Sequence, residues 1–534
     1  MTQAIFPPKK GNFYFFNSFF DHVHDENSAS FTYVIPWENA AIIIPKRDHK
    51  KAGCVGCVIR RVISTTYHRK EKICGIDSVW CNSEEIEKTI PVGKINNDEP
   101  ISSTKCFLYK FDTKKLEEIH ILPAPSCSCS HCSQPSLSPD FIETWLQKWP
   151  NVVLLKTPNK PYAGRLHLYS AKLPNVAPLF VANKISNTCV PSSPTVASLR
   201  DEASLSKRLL GESIERYVLH HVPLERLFTA PEESSALSKN KSYGLNPPLW
   251  TKVANAHGEE IFYKADEVFG GLHKLYSTQF RPLSSSGAAA HTNIESVKTN
   301  ALLELVERDT LLVAWRLIDH INLFQSLPLS LSESRQKKWI EKLVSQQEQE
   351  LVLYAVRNQF NLPVVLTASL PRLGSCKFVP NFGSGISFSW ETAYKKALTE
   401  LLQGIAIPDS EICEEAPISF NERPRYWAHP KRLPILRKRL TAEKELDVRD
   451  DTLSINDLIQ KFDKFKLPLY FADLTTPDVA LSHWKVLRAI CPHFEPFVGN
   501  AHYEKPNLER VNLCLSSMNE KPINHLNNDP FPFP

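Results

Sequence analysis

The stretch that decides the fold reads L-S-S-S-G-A-A-A-H-T-N-I-E-S-V-K-T-N-A-L-L-E-L-V-E-R-D-T-L-L-V-A-W from Leu283 to Trp315. A Ser-rich turn that ends at Gly287 leads into a segment that we predict to be helical and nearly all apolar in its second half. A helix that is apolar on every side is normally buried. Glu304 and Glu307 interrupt that surface three residues apart, so they lie one turn apart on the same face.

Two carboxylates on a buried helix need a cation, because unpaired charge is costly to remove from water. Arg308 could neutralise one of them, and the two would then form a structural ion pair. A divalent metal that carries phosphates is the alternative. From this helix alone, the structural ion pair is the favoured interpretation.

The same spacing recurs in two more segments of helical character. The first reads L-L-G-E-S-I-E-R-Y-V-L-H-H-V from Leu209 to Val222, and the second reads A-Y-K-K-A-L-T-E-L-L-Q-G from Ala393 to Gly404. The residues at this spacing are Glu212, Glu215, Arg216, Glu400 and Gln403. Three such pairs indicate one shared site for a hard cation, since Mg²⁺ prefers carboxylate and amide oxygens together with nucleotide phosphates.

The Ser-rich turn before the long helix could hold a phosphate as well. We predict that residues 284–287 directly precede the helix N-terminus, where free backbone N–H groups and the helix dipole attract anions. Ser286 is the turn residue that we assign to this phosphate site.

Several of these segments resemble signatures of the YcaO family. The run S-S-S-G-A-A-A-H-T followed by A-L-L-E-L-V-E-R-D-T resembles the central signature, and G-E-S-I-E-R-Y and A-L-T-E-L-L-Q resemble the family's two other nucleotide-binding segments. Y-F-A-D-L-T-T-P-D-V, from Tyr470 to Val479, resembles a strand and turn in its C-terminal half. The final P-F-P-F-P is similar to the end of the azoline-forming branch. The resemblance covers roughly residues 150 to 534, the scale of one large domain.

The resemblance implies an enzyme that uses ATP and Mg²⁺ to activate a peptide backbone amide. In the azoline branch, a Cys, Ser or Thr side chain of a ribosomally made precursor peptide attacks the preceding carbonyl carbon. The oxyanion takes the γ-phosphate of ATP, and phosphate then leaves to give a thiazoline or oxazoline, as in the biosynthesis of azole-containing microcins. We therefore predict an ATP-dependent cyclodehydratase. Peptide thioamidation and a non-catalytic scaffold of an azole synthetase complex are the alternatives.

Site residues follow from the resemblance. Ser296 stands where an acid is common in the family, and Glu295 beside it is expected to substitute. The predicted ATP and Mg²⁺ ligands are Glu212, Glu215, Arg216, Ser286, Glu295, Glu304, Glu307, Glu400 and Gln403. A proline-rich end holds an extended form, and the resemblance implies that it enters the active site and helps proton transfer. The predicted catalytic residues are Arg308, which orients the acids or contacts phosphate, and Pro530, Pro532 and Pro534.

Cysteines cluster near the N-terminus, where eight of the thirteen lie before residue 133. Two Cys-x-x-Cys pairs roughly seventy residues apart have the spacing of a structural Zn²⁺ site. The predicted ligands are Cys54, Cys57, Cys129 and Cys132. Unrelated thiols and a redox dithiol are the alternatives. Cys127 leaves the ligand set of the second pair open.

The first 150 residues resemble part of a second family. Strand-like text at Thr32–Pro36 and Ala41–Pro45, followed by G-C-V-G-C-V-I-R-R, resembles the zinc-bearing half of ThiF-like, ubiquitin-activating-type domains that accompany YcaO proteins. No Gly-rich nucleotide loop precedes the cysteines, so we expect a truncated docking domain instead of an adenylating enzyme. A winged-helix clamp for the leader peptide is not apparent. The resemblance therefore implies a separate leader-binding ThiF-like or winged-helix protein, an FMN-dependent azoline dehydrogenase and a homodimer.

The order of predicted elements gives an α/β (mixed α+β) fold, in which a YcaO-type ATP-binding domain with mixed sheets and helices follows a smaller zinc-bearing α/β domain. Prolines between residues 133 and 160 place the boundary, which gives domains at 1–150 and 151–534. A short helix is predicted at Phe141–Lys148. Strands are predicted at Asn151–Leu155, Arg165–Ser170, Leu179–Ala182, Leu351–Val356, Pro363–Leu370, Pro468–Asp473 and Val486–Ile490. Residues 407–460 are expected to form a surface excursion, and an irregular tail is expected to end the chain.

Composition is that of an ordinary globular protein, with 42% apolar and 23% charged residues. A net charge of +5 is small for 534 residues and gives no indication of a nucleic-acid partner. Residues 1–20 lack the aliphatic core of a secretory signal, and no later apolar run has the length of a membrane span. We therefore predict a bacterial cytoplasmic protein without a membrane partner, whose cysteines are free thiols or metal ligands.

Overall fold

The computed structural model describes a mixture of helices and β-sheets. The described residues are 13–15, 32–37, 40–45, 55–66, 105–110, 112–125, 138–148, 150–153, 155–162, 166–174, 194–198, 202–220, 226–228, 249–269, 285–327, 335–374, 378–405, 412, 414–415, 417, 419, 422–442, 444–446, 453–495, 497–498, 504 and 506–533. Within them β1 and β2 (Phe13–Phe15 and Thr32–Trp37) pair parallel, and the other strand pairs are antiparallel. The predicted mixed fold class is confirmed.

The remaining described strands are β3 (Ala40–Ile44), β4 (Lys105–Lys110), β5 (Lys115–His120), β6 (Leu155–Tyr162), β7 (Leu166–Lys172), β8 (Thr195–Ser198), β9 (Trp250–Asn255), β10 (Glu260–Lys264), β11 (Ala288–His291), β12 (Phe324–Ser326), β13 (Gln349–Val356), β14 (Val364–Pro371), β15 (Asn381–Ile386), β16 (Tyr470–Asp473) and β17 (Lys485–Ile490). They form four sheets, with the strand orders β1-β2-β3-β4-β5, β6-β7-β8, β10-β9-β16-β17-β11 and β12-β13-β14-β15.

The described helices are α1 (Val55–Thr66), α2 (Pro139–Leu146), α3 (Glu202–Leu219), α4 (Ala265–Val268), α5 (Ile294–Leu317), α6 (Arg335–Gln346), α7 (Trp390–Ile405), α8 (Glu422–Trp427), α9 (Leu433–Arg439), α10 (Ile455–Lys464), α11 (Pro477–Ala480) and α12 (Leu508–Ser517). None of these helices combines the length and apolar character that crossing a membrane would require.

Helix α5 is the long helix of the central signature. The side chain of Asn293 begins it by accepting a hydrogen bond from the N–H of Ser296 (2.9 Å). The helix contacts β11 and β17 of one sheet and β13 and β15 of another, and α12 also packs against it. Because α5 lies between two sheets, apolar residues on most sides of its second half are buried. These residues belong to the largest hydrophobic cluster among the described residues.

Helix α7 packs unusually close to strand β15. A Cβ atom on Gly383 would collide with the backbone of Ala397 and Leu401, and one on Gly385 would collide with the backbone of Ala393. Glycines at these two strand positions let the helix backbone approach the sheet directly. This approach places Glu400, in the C-terminal part of α7, next to β15.

A second apolar cluster crosses the predicted boundary at residue 150. It combines Leu146 of α2 with Leu209 of α3. Arg61 of α1 is fully buried and binds Asp478 of α11, and Tyr217 of α3 donates its hydroxyl hydrogen to the same carboxylate (2.7 Å). The N-terminal part and α3 thus share one core, while the division into two domains stays a prediction.

Strand predictions in the C-terminal half are confirmed by β13, β14, β16 and β17, and those near the N-terminus by β2 and β3. The strand predicted at Asn151–Leu155 is wrong in its first part. Asn151 accepts the N–H of Leu122 (2.9 Å) and donates to the carbonyls of His120 and Trp145, so it closes the end of α2 and does not enter a sheet. The strand predicted at 179–182 lies outside the described residues.

The predicted surface excursion and irregular tail are also corrected. Within residues 407–460 the structure forms α8, α9 and α10, and Trp427 is 2% exposed against Trp315 of α5. Pro424 and Pro434 mark helix starts, since proline is tolerated in the first turn. Near the end of the chain, α12 is held to α5 by the buried pair Arg510–Asp309, and the irregular segment begins only after it.

We expect Gly383→Ala to lower the free energy of unfolding by about 1–3 kcal/mol, because the added methyl must push α7 away from β15. Gly404→Ala is the matched control, since its methyl would meet only the side chain of Asn381, at 3.1 Å. Chemical denaturation of the two variants measures the difference. Equal stability of both would contradict the close packing.

Candidate functional site

The three helices with paired acids meet at one place. Glu304 and Glu307 lie on α5, Glu400 on α7, and Glu212 and Glu215 on α3. Glu304 experiences the charges of Glu212, Glu307 and Glu400, and Glu215 experiences those of Glu212 and Glu304. The structure thus brings five predicted ligands, from segments about 200 residues apart in sequence, into one carboxylate cluster.

Ser384 of β15 joins two of these acids. Its hydroxyl oxygen lies 2.6 Å from Glu307 Oε1 and 3.0 Å from Glu400 Oε2. Its backbone N–H also donates to Glu400 Oε2 (2.5 Å). Ser384 is 6% exposed, so these contacts are protected from water. No sequence motif predicted a role for this serine, although it stands between the two glycines of G-S-G, whose small size permits the helix contact.

The two arginines of the motifs point at acids. Arg308 Nη2 lies 3.9 Å from Glu400 Oε1, and Arg216 Nη2 lies 3.6 Å from Glu212 Oε2 one turn earlier on the same helix. Both pairs keep partial solvent access. This geometry supports a role in orienting the acids, which is one of the two roles predicted for these residues.

Burial raises the pKa values of the clustered carboxylates. For Glu304, burial and the neighbouring acids outweigh the opposing charge of Arg308 and raise the pKa to about 8. Burial, together with Glu212, raises the pKa of Glu215 well above its usual range, and burial raises that of Glu307. The cations of the cluster therefore do not fully offset its carboxylates, which bind protons when no other cation is present, and a bound cation would displace those protons.

Two further basic residues lie close to the carboxylate cluster. Arg488 of β17 is buried, donates to the carbonyl of Val268 (3.2 Å) and acts on Glu304 and Glu215. Burial lowers the pKa of Arg488 to about 10. Lys396 of α7 donates to the carbonyl of Ile386 (3.1 Å) and acts on Glu307. Arg488 could have been found from the sequence, because it is the one charged residue in the apolar run V-L-R-A-I.

The Ser-rich turn does not directly precede the long helix, which corrects that prediction. Gly287 has φ +77° and lies against the backbone of Ala489, where a larger residue would collide. Strand β11 follows and pairs with β17, and α5 begins only at Ile294. The turn is therefore anchored to a sheet, so that its N–H groups are not those of the helix N-terminus. Ser286 is half-buried in this turn.

Two other predicted ligands, Glu295 and Gln403, are not among the five clustered carboxylates. Glu295 is exposed in the first turn of α5, nine residues and about 14 Å along the axis from Glu304. The structure does not bring it into the carboxylate cluster. Gln403 is half-buried one turn beyond Glu400 on α7, as its spacing predicts.

The proline-rich segment at residues 527–533 is held by side-chain hydrogen bonds, and its residues 531–533 are buried. Proline has no N–H group, so the segment cannot pair as a strand and needs donors from outside. Its carbonyl oxygens accept side-chain hydrogen bonds as follows: Asn527 O from Arg316 Nη1 (3.1 Å), Asp529 O from Trp315 Nε1 (3.0 Å), Pro530 O from Trp427 Nε1 (3.0 Å) and Phe531 O from Arg423 Nη1 (3.2 Å).

This segment runs towards the carboxylate cluster. The ring of Phe533 packs edge-on against Phe382 of β15 (5.0 Å) and is 1% exposed. Ser384 follows Phe382 by two residues and therefore lies on the same face of the strand. Pro532 is buried next to Phe533, and Pro534 lies outside the described residues. The segment thus reaches the sheet beside the residue that binds Glu307 and Glu400.

The predicted zinc ligands lie mostly outside the described part of the chain, as Cys54, Cys129 and Cys132 all do. Cys57 is buried in α1, and its Sγ accepts the N–H of Ala124 (3.1 Å). This contact brings Cys57 close to Ala124, which precedes Cys129 by five residues in the sequence. Among the described residues, no three His, Cys, Asp or Glu side chains form a group that could hold a metal.

The carboxylate cluster nevertheless fits Mg²⁺ bound to a nucleotide. Mg²⁺ usually takes one or two protein carboxylates and fills its other positions with phosphates and water. Carboxylate oxygens on three helices, which the arginines offset only in part, match that need, whereas a fully protein-bound metal would require a preformed group of three.

We expect Glu304→Gln to stabilise the metal-free protein increasingly as the pH rises. The folded protein binds a proton at Glu304 up to about pH 8, while the unfolded chain releases it near pH 4.5, so unfolding becomes easier between these values. Thermal unfolding in the presence of a chelator, measured from pH 5 to pH 8, should show that the melting temperature of Glu304→Gln rises relative to that of the wild type as the pH increases. The exposed Glu391→Gln serves as the control, and parallel curves for Glu304→Gln and wild type would contradict the raised pKa.

Comparisons with known proteins agree with this site. The family model of the YcaO cyclodehydratases, described as binding ATP and Mg²⁺, matches residues 201–495, more than half of the chain. No curated protein matches the sequence.

Two solved heterocyclase structures show the same fold. A heterocyclase in complex with substrate and cofactor is 15% identical with a TM-score of 0.68, and the match covers 98% of this chain and 81% of that chain. The heterocyclase TruD is 15% identical with a TM-score of 0.53, covering 94% and 75%. YcaO from Methanopyrus kandleri, bound with AMPPCP and Mg²⁺, is 16% identical with a TM-score of 0.49, covering 68% and 95%. The family match, which spans all three acidic helices, establishes that this chain belongs to the YcaO cyclodehydratase family, whose members bind ATP and Mg²⁺.

Proposed function

We propose that this chain is an ATP- and Mg²⁺-dependent cyclodehydratase that closes thiazolines and oxazolines in a ribosomally synthesised precursor peptide. The observation that carries the proposal is the meeting of acids from α5 and α7 at Ser384, with Glu212 of α3 close enough to act on Glu304, within the region that the family model matches. Buried structural ion pairs on α5 do exist, but they are Asp309–Arg510 and Arg316–Glu495. Glu304 and Glu307 face the other acids and remain available for a cation.

The carboxylates of Glu212, Glu215, Glu304, Glu307 and Glu400 would hold Mg²⁺ with ATP. Bound Mg²⁺ would neutralise the triphosphate and so favour transfer of its γ-phosphoryl group. Their placement on helices that are packed into the core keeps these oxygens in position before the substrate arrives.

The arginines favour the ionised form of the acids and orient them. Arg308 opposes the pKa increases of Glu304 and Glu307, and Arg216 opposes that of Glu215. Ionised carboxylates are the form that coordinates a cation. Gln403, Ser286 and Glu295 stay predicted ligands of the nucleotide.

The reaction balances as follows. A Cys thiol or a Ser or Thr hydroxyl of the peptide loses its proton and bonds to the preceding carbonyl carbon. The γ-phosphoryl group is transferred from ATP to the former carbonyl oxygen, and ADP is the product of this step. The bond from carbon to this oxygen then breaks and releases phosphate, while the amide nitrogen loses its proton to form the C=N bond of the azoline. Two protons must therefore be accepted close to the phosphoryl group.

The proline-rich segment is the proposed location of this proton transfer. Phe533 ends the described part of the segment beside Phe382, two residues from Ser384. Pro530, Pro532 and Pro534 would hold this part of the chain extended, so that Pro534 would lie close to the reacting atoms. These roles rest on the family resemblance and on this position.

The N-terminal part is proposed to be a truncated ThiF-like docking domain that binds Zn²⁺. A separate leader-peptide-binding protein would deliver the precursor, and an FMN-dependent dehydrogenase would oxidise azolines to azoles. Arg61 provides the physical link between this part and the nucleotide site, since it binds Tyr217 on α3 two residues beyond Glu215. A homodimer and a cytoplasmic location are part of the same proposal.

We expect the purified protein to hydrolyse ATP with Mg²⁺ and a precursor peptide, and the peptide to lose one water per ring. Glu304→Ala should reduce both by about 100-fold or more, and Ser384→Ala by about tenfold, because removing a group that supports metal ligands costs 10–100-fold in activity. Phosphate release and mass spectrometry measure the two outcomes, with and without the leader-binding partner.

Glu391→Gln, which changes an exposed acid on the same helix as Glu400, should keep full activity. ATP hydrolysis coupled to replacement of oxygen by sulfur would instead support thioamidation. Absence of nucleotide binding in the presence of Mg²⁺ and the partner would overturn the proposal in favour of a scaffold.

We expect about one Zn²⁺ per chain, measured by elemental analysis of the purified protein. Cys54→Ser and Cys129→Ser should each release the metal, since a tetrathiolate site needs all four ligands. Cys106→Ser, which changes a buried cysteine outside the predicted set, should retain it. Wild-type protein without zinc would contradict the site.

A further inference from the structure

Phe497 lies between two arginines that belong to different parts of the fold. The guanidinium carbon of Arg308 lies 4.9 Å from the centre of its ring, and that of Arg423 lies 5.5 Å from it. The ring is 6% exposed and packs edge-on against Phe531, with centroids 5.3 Å apart. Both arginines lie within the range of a cation–π interaction, which is stronger where water is excluded.

Arg423 connects this ring to the proline-rich segment. It is 1% exposed, donates through Nη1 to the carbonyl of Phe531 (3.2 Å) and through Nη2 to Glu504 Oε1 (2.7 Å). Glu504 in turn accepts Arg316 of α5 (2.9 Å). Arg423 also donates to the carbonyl of Val498, so it is held by the core and connects the ring of Phe497 to the segment through Phe531.

Arg308 connects the same ring to the carboxylate cluster. Its separation of 3.9 Å from Glu400 is longer than a hydrogen bond, so this ion pair attracts the guanidinium without setting its plane. A flat ring against the guanidinium does set that plane. The ring of Phe497 therefore contributes to the direction in which Arg308 faces Glu400.

We propose that Phe497 is a positioning residue that couples the seating of the proline-rich segment (residues 527–533) to the placement of Arg308 in the nucleotide site. The coupling runs from Phe531 through the ring of Phe497 to Arg308 and then to Glu400. It rests on the proposed function, since its effect is on Mg²⁺–ATP. A seated segment keeps the ring in place, and the ring keeps Arg308 turned towards the carboxylates.

Phe497→Leu keeps the apolar bulk and removes the ring. We expect it to raise the KM for Mg²⁺–ATP about three- to tenfold, the equivalent of one cation–π interaction, with a smaller change in kcat. Phe497→Tyr keeps the ring and should restore the wild-type KM. Steady-state ATP hydrolysis with saturating precursor peptide measures both constants.

Phe494→Leu is the matched control. Phe494 lies three residues earlier and is also 6% exposed. Its ring carries the guanidinium of Arg510 (4.8 Å), which binds Asp309 of α5 and lies outside the carboxylate cluster. This variant should lose thermal stability to a similar extent but keep the wild-type KM.

A double-mutant cycle tests the connection to the segment. Phe531→Leu alone should raise the KM for Mg²⁺–ATP, but it should add little to Phe497→Leu, because the ring that carries the effect is already absent. Additive effects would overturn the coupling, as would an unchanged KM in Phe497→Leu or an equal rise in Phe494→Leu. A wild-type protein that binds no Mg²⁺–ATP would instead overturn the proposed function, so the two failures are distinguishable.

Discussion

The removal of acidic side chains from water along α5 is the constraint on which the rest of this structure depends. Between two sheets, the helix has little polar surface to offer its acids. Asp309 is satisfied by Arg510, which pulls α12 onto the helix. Glu304 and Glu307 are only partly offset by Arg308 and by Ser384, so their surroundings favour an additional cation. The same helix thus carries one acid that is fully paired, Asp309, and two that are only partly offset, Glu304 and Glu307. The partly offset acids belong to the candidate functional site.

Close backbone packing brings the other ligands to this helix. Glycines in β15 let α7 lie directly on the strand, and the serine between them reaches acids on both helices. The proline-rich segment then fills the space beside the same strand, where Phe533 meets Phe382. Backbone contact, hydrogen bonding and aromatic packing therefore converge on six residues of one strand, which explains why residues so distant in sequence form a single site.

Much of the site could be predicted because its ligands repeat a spacing that helix geometry makes meaningful. Glu-x-x-Glu places two oxygens on one face whatever the surrounding fold is, so the pairs on α3 and α5 were identifiable. Ser384 and Phe497 carry no such local pattern, and the single charge of Arg488 in an apolar run marks the residue without indicating its partners. They matter only because β15, β17 and the residues after Cys491 are brought next to α5 by long-range contacts. The position of the Ser-rich turn was mispredicted for the same reason. Strand β11, which pairs with β17, lies between the turn and α5.

The sequence by itself determined the family, the mixed fold class and the helices that carry the paired acids, because hydrophobic periodicity and motif spacing are local properties. Tertiary structure alone decided which acids share a cluster, which arginine neutralises which carboxylate, and how the proline-rich segment is held. Those outcomes depend on burial and on distances between segments hundreds of residues apart, and neither is encoded in any single stretch. Asp309 and Glu307, two residues apart on one helix, received opposite roles for this reason: one faces Arg510 and the other faces Ser384.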